Sequence, residues 1–254
     1  MCLSLSQADF SGIRLVATDM DGTLTIAGQF APGLMNAFAK LCAHNIEVMI
    51  VTGRSAGWVS ALVNYLPVVG AIAENGGLYI SKNKPEPLIL PDIPRMSAHR
   101  DRLASLFALL KARYPQLRPA LDNRFRITDW TFDIKGLTLT DLTWMAQTCA
   151  EHRMGFTYSN VQCHIMVKRQ NKAAGLTKVL QQQFAQVAAA EVVTVGDSPN
   201  DESLFDPKQF PCSVGVANVA HYLPVLAHRP AYVTASAEGA GFMELAEKLI
   251  AARP

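Results

Sequence analysis

Short apolar runs that each end at a polar cluster recur near both ends of this chain. Two lie at 13–18 and 46–51, a third ends at Glu74, and a fourth lies at 192–195. Stretches with helical spacing, such as 33–44 and 172–188, separate them. Runs of β-branched and aliphatic residues that alternate with helices are typical of a parallel sheet covered on both faces. The pattern therefore predicts an α/β fold with a doubly wound parallel sheet.

The middle of the chain follows a different pattern. Residues 84–94 hold four prolines and are predicted to be a linker. Beyond them we expect an α-β-β-α-β-β segment, with helices at 96–114 and 141–153 and strands at 117–121, 124–134, 155–160 and 162–169. The first pattern resumes after Asn171, with further strands at 213–216 and 232–234 and a closing helix at 241–252. We therefore predict a catalytic core at 1–84 and 170–254, interrupted by an α+β cap at 85–169.

Composition excludes several classes of protein. The formal net charge is +2 and no long basic block occurs, so a nucleic-acid partner is not expected. No apolar run reaches the length of a membrane span, and the first residues lack the features of a signal peptide. The five cysteines are scattered, which disfavours a disulfide framework or a zinc site. We expect a soluble cytoplasmic protein, either a monomer or a homodimer.

The first polar cluster, DMDGT, follows the strand predicted at 13–18. Asp19 would lie at the tip of that strand, and an aspartate can attack phosphorus as a covalent nucleophile. Asp21 could donate a proton to the leaving alcohol and then take one from the attacking water. Gly22 would let the backbone approach a phosphate closely. A polar turn that merely ends a strand is the alternative.

The second and third clusters supply groups that could bind an anion. Thr52 and Gly53 follow the strand at 46–51 and enter a helix, where a hydroxyl and a free N–H can hold phosphate. A simple helix cap explains Thr52 equally well. Lys172 opens the helix after the cap and could neutralise a nucleophile and phosphoryl oxygens. An exposed surface lysine is the alternative there, and the rival lysines and arginine are Lys168, Arg169 and Lys178.

The fourth cluster, GDSPND, directly follows the strand at 192–195. Asp197 and Asp201 are paired acids on one turn, which favour a hard cation held by oxygen ligands. Magnesium fits because it accepts a few carboxylates together with phosphate and water. An Asx-type turn is the alternative.

In this order, the four clusters resemble the four motifs of the haloacid dehalogenase superfamily of phosphohydrolases. The insert resembles the C2 cap of subclass IIB, which includes Cof-like sugar-phosphate, sucrose-phosphate and mannosyl-3-phosphoglycerate phosphatases and phosphomannomutase. The resemblance implies that Asp19 is the nucleophile and Asp21 the general acid/base. It also implies a Mg²⁺ cofactor and two binding sets: metal ligands Asp19, Asp21, Asp197 and Asp201, and phosphate-binding residues Gly22, Thr52, Gly53, Lys172 and Asn200. Ser198 is their neighbour in the fourth cluster.

The cap is expected to contact the leaving group of the substrate. Period-two spacing places His164 and Lys168 on one face of the strand predicted at 162–169, and Arg124 and Arg126 share a face of theirs. Polar residues cover any exposed sheet face, so this set is only a hypothesis. The candidate substrate contacts are Arg124, Arg126, Asn160, His164 and Lys168.

The resemblance implies a magnesium-dependent phosphatase that acts on a small phosphorylated metabolite through an aspartyl-phosphate. A sugar phosphate or a phosphoglycerate-linked sugar is the first candidate substrate, and phosphoglycolate is an alternative. A phosphomutase is the main alternative within the superfamily. A non-enzymatic phospho-aspartate switch fits this sequence less well, because receiver domains are about half this length and lack the insert. A Rossmann nucleotide module is also disfavoured, since no G-x-G-x-x-G follows the first strand.

Overall fold

A nine-stranded, largely parallel sheet forms the centre of the protein. The computed structural model describes residues 2–84, 86–159 and 161–253. With strands numbered along the chain, the sheet runs in the spatial order β1 (Leu3–Ser4), β14 (Tyr232–Val233), β13 (Cys212–Gly215), β12 (Val192–Gly196), β2 (Leu15–Thr18), β5 (Glu47–Val51), β6 (Gly70–Ala73), β7 (Leu78–Ile80) and β8 (Leu88–Ile89). Only the β6–β7 and β7–β8 pairs are antiparallel among these strands. The α/β prediction is confirmed.

Helices cover both faces of this sheet. On one face α1 (Pro32–Ala43), α2 (Ala56–Tyr65) and α6 (Glu238–Ala251) pack on Val16 and Ile50. On the other, α5 (Lys172–Gln183) packs on Leu15 and Ala17. Successive residues of β2 thus point into different hydrophobic cores, which is why its sequence is apolar throughout.

A second sheet lies in the inserted segment. It contains β10 (Met154–Tyr158), β11 (Gln162–Val167) and β9 (Trp130–Asp133), all antiparallel, in that order. Helices α3 (Met96–Arg113) and α4 (Leu139–Glu151) share a hydrophobic core with it, through residues such as Phe107 and Met145. A small hairpin, β3 (Thr25–Ile26) with β4 (Gln29–Phe30), follows the first polar cluster.

The prediction of a strand at 117–121 is wrong, within the residues that the structure describes. It is reduced to a single bridge between Pro119 and Phe132, and a 3-10 helix, Leu121–Phe125, follows it. Pro119 has no amide hydrogen to donate, so it cannot continue a ladder. The cap sheet therefore has three strands there rather than four. The proline-rich 84–94 segment also differs from a plain linker, because β8 pairs with β7 on the edge of the main sheet.

None of the helices in the described ranges is both long enough and apolar enough to cross a membrane.

The turn between β6 and β7 packs tightly on the start of α5. Gly76 has a φ of +90°, and a Cβ there would lie 2.1 Å from the carbonyl oxygen of Asn171. Asn171 caps α5, because its side chain accepts a hydrogen bond from the Ala174 amide at 2.8 Å. The lack of a side chain at position 76 lets this turn pack against Asn171. The turn therefore helps to fix the position of Lys172, the first residue of α5.

We predict that Gly76→Ala lowers the free energy of unfolding by about 3 kcal/mol or more, because it adds a backbone clash to a strained φ. Gly136→Ala is the matched control, since its φ is +80° with nothing within 4 Å of the added Cβ. That control should cost only about 1 kcal/mol. Urea unfolding measures both, and equal losses would contradict the packing described.

Candidate active site

Three neighbouring parallel strands bring their polar ends to one edge of the main sheet. Asp19 follows β2, Asp197 follows β12 and Thr52 follows β5. The strands are in register, and the Asp19 amide donates to the carbonyl of Val195 at 2.9 Å. Because parallel strands end at the same edge, residues more than 170 positions apart in the sequence become neighbours in space.

Lys172 lies beneath this edge and is fully buried. Its Nζ donates to Oδ1 of Asp19 and, at 2.6 Å, to Oδ1 of Asp201. Burial alone would lower the pKa of Lys172, but the two carboxylates raise it above its ordinary value. Lys172 is therefore a permanent buried cation, and the surface-lysine alternative is excluded.

Three carboxylates remain close together around that one lysine. Oxygens of Asp19, Asp197 and Asp201 lie within 4.8 Å of one another, and all three residues are buried. Burial, with further repulsion from Asp201 and Asp21, raises the pKa of Asp19 to about 7 in spite of Lys172. Burial, with repulsion from Asp19 and Asp201, raises the pKa of Asp197. Hard oxygen donors with surplus negative charge fit a divalent cation such as Mg²⁺.

The loop after β12 holds these acids in place. Oδ2 of Asp201 accepts from the amides of Asp197 at 3.0 Å and Ser198 at 3.1 Å. The side chain of Asn200 accepts from Ser198 Oγ at 2.7 Å and donates to Asn75 at 3.0 Å. Asn200 thus links this loop to the β6–β7 turn.

Two further residues that the sequence analysis did not select orient Asp197. Asn218 donates to Oδ2 of Asp197 at 2.8 Å and to the carbonyl of Gly22 at 3.0 Å, and Thr23 Oγ1 donates to Oδ1 at 3.3 Å. The amide of Gly22 itself donates to Thr25 Oγ1 at 3.0 Å, and its φ is +82°. In the structure Gly22 therefore forms the turn, with its N–H already bonded.

Asp21 has a partner that sequence reasoning missed. Arg54 donates from Nε and Nη2 to the two carboxylate oxygens of Asp21, at 2.8 and 2.6 Å. The guanidinium also stacks over the ring of Trp58, with a distance of 4.6 Å from Cζ to the ring centroid. A bidentate ion pair of this kind fixes the direction of both planes. The sequence signal for this ion pair is the position of Arg54 directly after Thr52 and Gly53.

A small cavity of about 20 Å³ lies between the acidic edge and the cap. Its walls come from both parts of the chain: Asp19, Asp21, Thr52, Gly53, Arg54, Ser159, Val161, Gln162, His164, Ser198 and Asn200. The cap is therefore closed over the acids. A cavity of this size is too small for a phosphate ester, so a substrate needs the cap to open.

The predicted cap contacts have different outcomes. His164 lines the pocket, whereas Arg124 and Lys168 are exposed and do not line it. Arg124 lies in the 3-10 helix, and β11 ends at Val167, so neither has the strand position that the spacing predicted. Arg126 is buried, with its guanidinium bound to protein groups. Asn160 lies outside the described residues.

Glu74 holds the cap segment 127–129 against the core. Its buried carboxylate accepts from the amides of Ile127 at 3.0 Å and Thr128 at 2.6 Å, and from the Ala56 amide at 3.1 Å. Burial, with repulsion from Asp129, raises the pKa of Glu74 to about 7. This side chain thus connects the cap segment to the core.

Comparison with known proteins agrees with this architecture. A profile of the haloacid dehalogenase-like hydrolase family matches residues 16–104 and 130–243. Phosphoglycolate phosphatase 1 of Saccharolobus solfataricus is 28% identical over 242 residues, which cover 94% of this chain and 96% of that protein. The phosphoglycolate phosphatase of Methanothrix thermoacetophila is 25% identical over 241 residues, with coverage of 94% and 98%.

Solved structures show the same fold. A crystal structure of a Thermoplasma acidophilum protein aligns with a TM-score of 0.75 at 20% identity, covering 93% of this chain and 98% of that one. A sugar phosphatase of haloacid dehalogenase subclass IIB aligns with a TM-score of 0.65 at 14% identity, covering 87% and 93%.

The family match and the phosphatase relatives show that this protein is a phosphoric monoester hydrolase. The chain belongs to the haloacid dehalogenase-like hydrolase family. Its fold, a core with an inserted cap, is similar to that of the subclass IIB sugar phosphatase.

We predict that Lys172→Met lowers the free energy of unfolding by about 3 kcal/mol in the presence of a chelator, because two buried carboxylates lose their partner. Lys168→Met is the control, since Lys168 is exposed. Denaturant unfolding at pH 7.5 measures both. Equal stability of the two variants would contradict the buried ion pairs.

Proposed function

We propose that this protein is a magnesium-dependent phosphatase that hydrolyses a small phosphorylated metabolite through an aspartyl-phosphate on Asp19. One observation carries the proposal: a buried aspartate at the floor of a closed pocket is paired with a buried lysine and adjoins two further carboxylates. A carboxylate so placed can attack a phosphoryl group only when positive charge offsets its repulsion from the phosphate.

Asp19, Asp197 and Asp201 would hold the Mg²⁺, with the main-chain carbonyl of Asp21 as the further ligand expected from the family resemblance. When bound, the ion supplies positive charge that screens the nucleophile from the phosphate dianion. The protein contributes the orientation of the ligands, through the bonds from Asn218 and Thr23 to Asp197.

The chain's own groups carry the two chemical steps. A carboxylate oxygen of Asp19 forms a bond to phosphorus while the bond to the leaving oxygen breaks, and Asp21 gives that oxygen a proton. Water then attacks phosphorus and gives a proton to Asp21, while the bond between phosphorus and the Asp19 oxygen breaks. This releases phosphate and restores the Asp19 carboxylate. Lys172, Thr52 and Gly53 are proposed to hold the transferring phosphoryl oxygens throughout.

A small leaving group is favoured, because the cavity beneath the closed cap is only about 20 Å³ and even a small substrate needs the cap to open. The relatives named phosphoglycolate phosphatase make phosphoglycolate the first compound to test. Short sugar or polyol phosphates come next. Phosphoglycerate-linked sugars, which are larger, would need the cap to open further.

Asp19→Asn should abolish phosphate release from a panel of these compounds, and chelation of Mg²⁺ should abolish it in the wild type. Asp133→Asn is the matched control, because Asp133 is an exposed cap aspartate that accepts only from the Lys135 amide within the described residues. It should retain full activity. Continued release by Asp19→Asn would disprove the mechanism, and a need for a bisphosphate activator without net release would indicate a mutase.

Arg54→Lys should lower kcat about tenfold with little change in KM. Lysine keeps the positive charge but cannot donate two parallel hydrogen bonds to the Asp21 carboxylate. Steady-state kinetics on the best substrate measures this. Arg118→Lys, on the exposed cap surface, serves as control. An unchanged kcat in Arg54→Lys would show that the ion pair does not position Asp21.

A further inference from the structure

We infer that Asp129 is a positioning residue that fixes the tautomer of His164, so that His164 offers Nε2 as a hydrogen-bond acceptor to a hydroxyl group on the leaving group. The inference rests on the proposed function, because it takes the pocket to hold the substrate. It deepens that function by naming the polar group of the substrate that the cap recognises.

His164 is a buried cap residue in the wall of the pocket. It is 2% exposed, lies on β11 and lines the pocket with Asp19 and Thr52. Its Nδ1 is 2.8 Å from Oδ2 of Asp129, and within the described ranges Nε2 has no hydrogen-bond partner. A Cβ built on Gly53 would lie 3.1 Å from its Cε1, so the ring rests directly against the phosphate-side backbone.

Asp129 determines which ring nitrogen carries the proton. It is fully buried, and Nη1 of Arg126 donates to both of its oxygens at 3.0 Å. Although burial alone would raise the pKa of Asp129, Arg126 and His164 lower it below its ordinary value. An ionised carboxylate can only accept hydrogen bonds, so Nδ1 of His164 must be the donor.

The second ring nitrogen is then an acceptor. Burial lowers the pKa of His164 in spite of Asp129, which keeps the ring neutral near pH 7.5. A neutral imidazole protonated at Nδ1 presents a lone pair at Nε2. That lone pair can receive a hydroxyl hydrogen, but it repels a carboxylate. The pocket should therefore favour leaving groups that carry a hydroxyl.

The rest of the network makes this orientation rigid. Arg126 also donates to Asp122 at 2.9 Å, to Gln162 at 3.0 Å and to the carbonyl of Gly53 at 2.9 Å. Glu74 holds the neighbouring backbone of 127–129. Asp129 is thus held from both the cap and the core, and it holds the ring of His164 in turn.

Nitrogen-15 NMR of the histidine rings tests the tautomer without any turnover. In the folded wild type at pH 7.5, we expect His164 to be protonated at Nδ1 and unprotonated at Nε2, with its signals assigned by their loss in His164→Gln. An Nε2-protonated or doubly protonated ring would overturn the inference. Because this result needs no catalysis, it can fail while the phosphatase proposal stands, and the reverse is also possible.

Kinetics tests the recognition, with glycerol phosphate as the hydroxyl-bearing substrate and phosphoglycolate as the carboxyl-bearing one. His164→Leu should lower kcat/KM for glycerol phosphate about tenfold, mainly through KM, and change phosphoglycolate by less than about twofold. His164→Gln, whose amide oxygen can accept, should restore part of the loss. Equal losses for both substrates, or no rescue by glutamine, would overturn the inference.

Asp129→Asn tests the positioning role. An asparagine can donate to Nδ1, which favours the opposite tautomer, and Nε2 would then become a donor. We expect its preference between the two substrates to shift toward phosphoglycolate by about tenfold. Asp133→Asn, on the adjoining strand, should leave the preference unchanged. If Asp129→Asn folds with an unchanged preference, Asp129 does not act through His164. If it does not fold, the wild-type NMR result decides.

Discussion

The burial of several carboxylates around one lysine is the constraint on which the rest of the structure depends. Parallel strand order forces Asp19 and Asp197 to the same edge, where burial makes their charges costly. Lys172 offsets part of that cost by binding Asp19 and Asp201. The remaining surplus of negative charge makes these oxygen donors suited to a cation.

A second cluster of buried charged side chains connects the cap to the core beside the acidic site. Glu74 extends from the core to the backbone of 127–129, and Arg126 extends from the cap to the carbonyl of Gly53. Both contacts lie beside residues that line the pocket. Closure of the cap therefore does more than exclude water, because it brings oriented polar groups to the leaving-group side.

Sequence alone predicted the features that depend on local pattern, as the α5 start and the acidic strand ends show. It could not predict the Asp21–Arg54 pair, nor the bond between Asp129 and His164, because these join segments that only tertiary packing brings together. Strand spacing makes Arg126 a candidate substrate contact on one face of a strand. The structure instead buries it among carboxylates, and spacing in the sequence carries no signal of such burial.

The most direct test of the central claim is to trap the intermediate. Asp21→Asn should still allow attack on a reactive phosphate ester such as p-nitrophenyl phosphate, yet slow the hydrolysis that follows, since the base for water is gone. After a rapid acid quench, mass spectrometry of the peptides should find one phosphoryl group on Asp19. A phosphoryl group on another residue, or none although the wild type turns the ester over, would contradict the account.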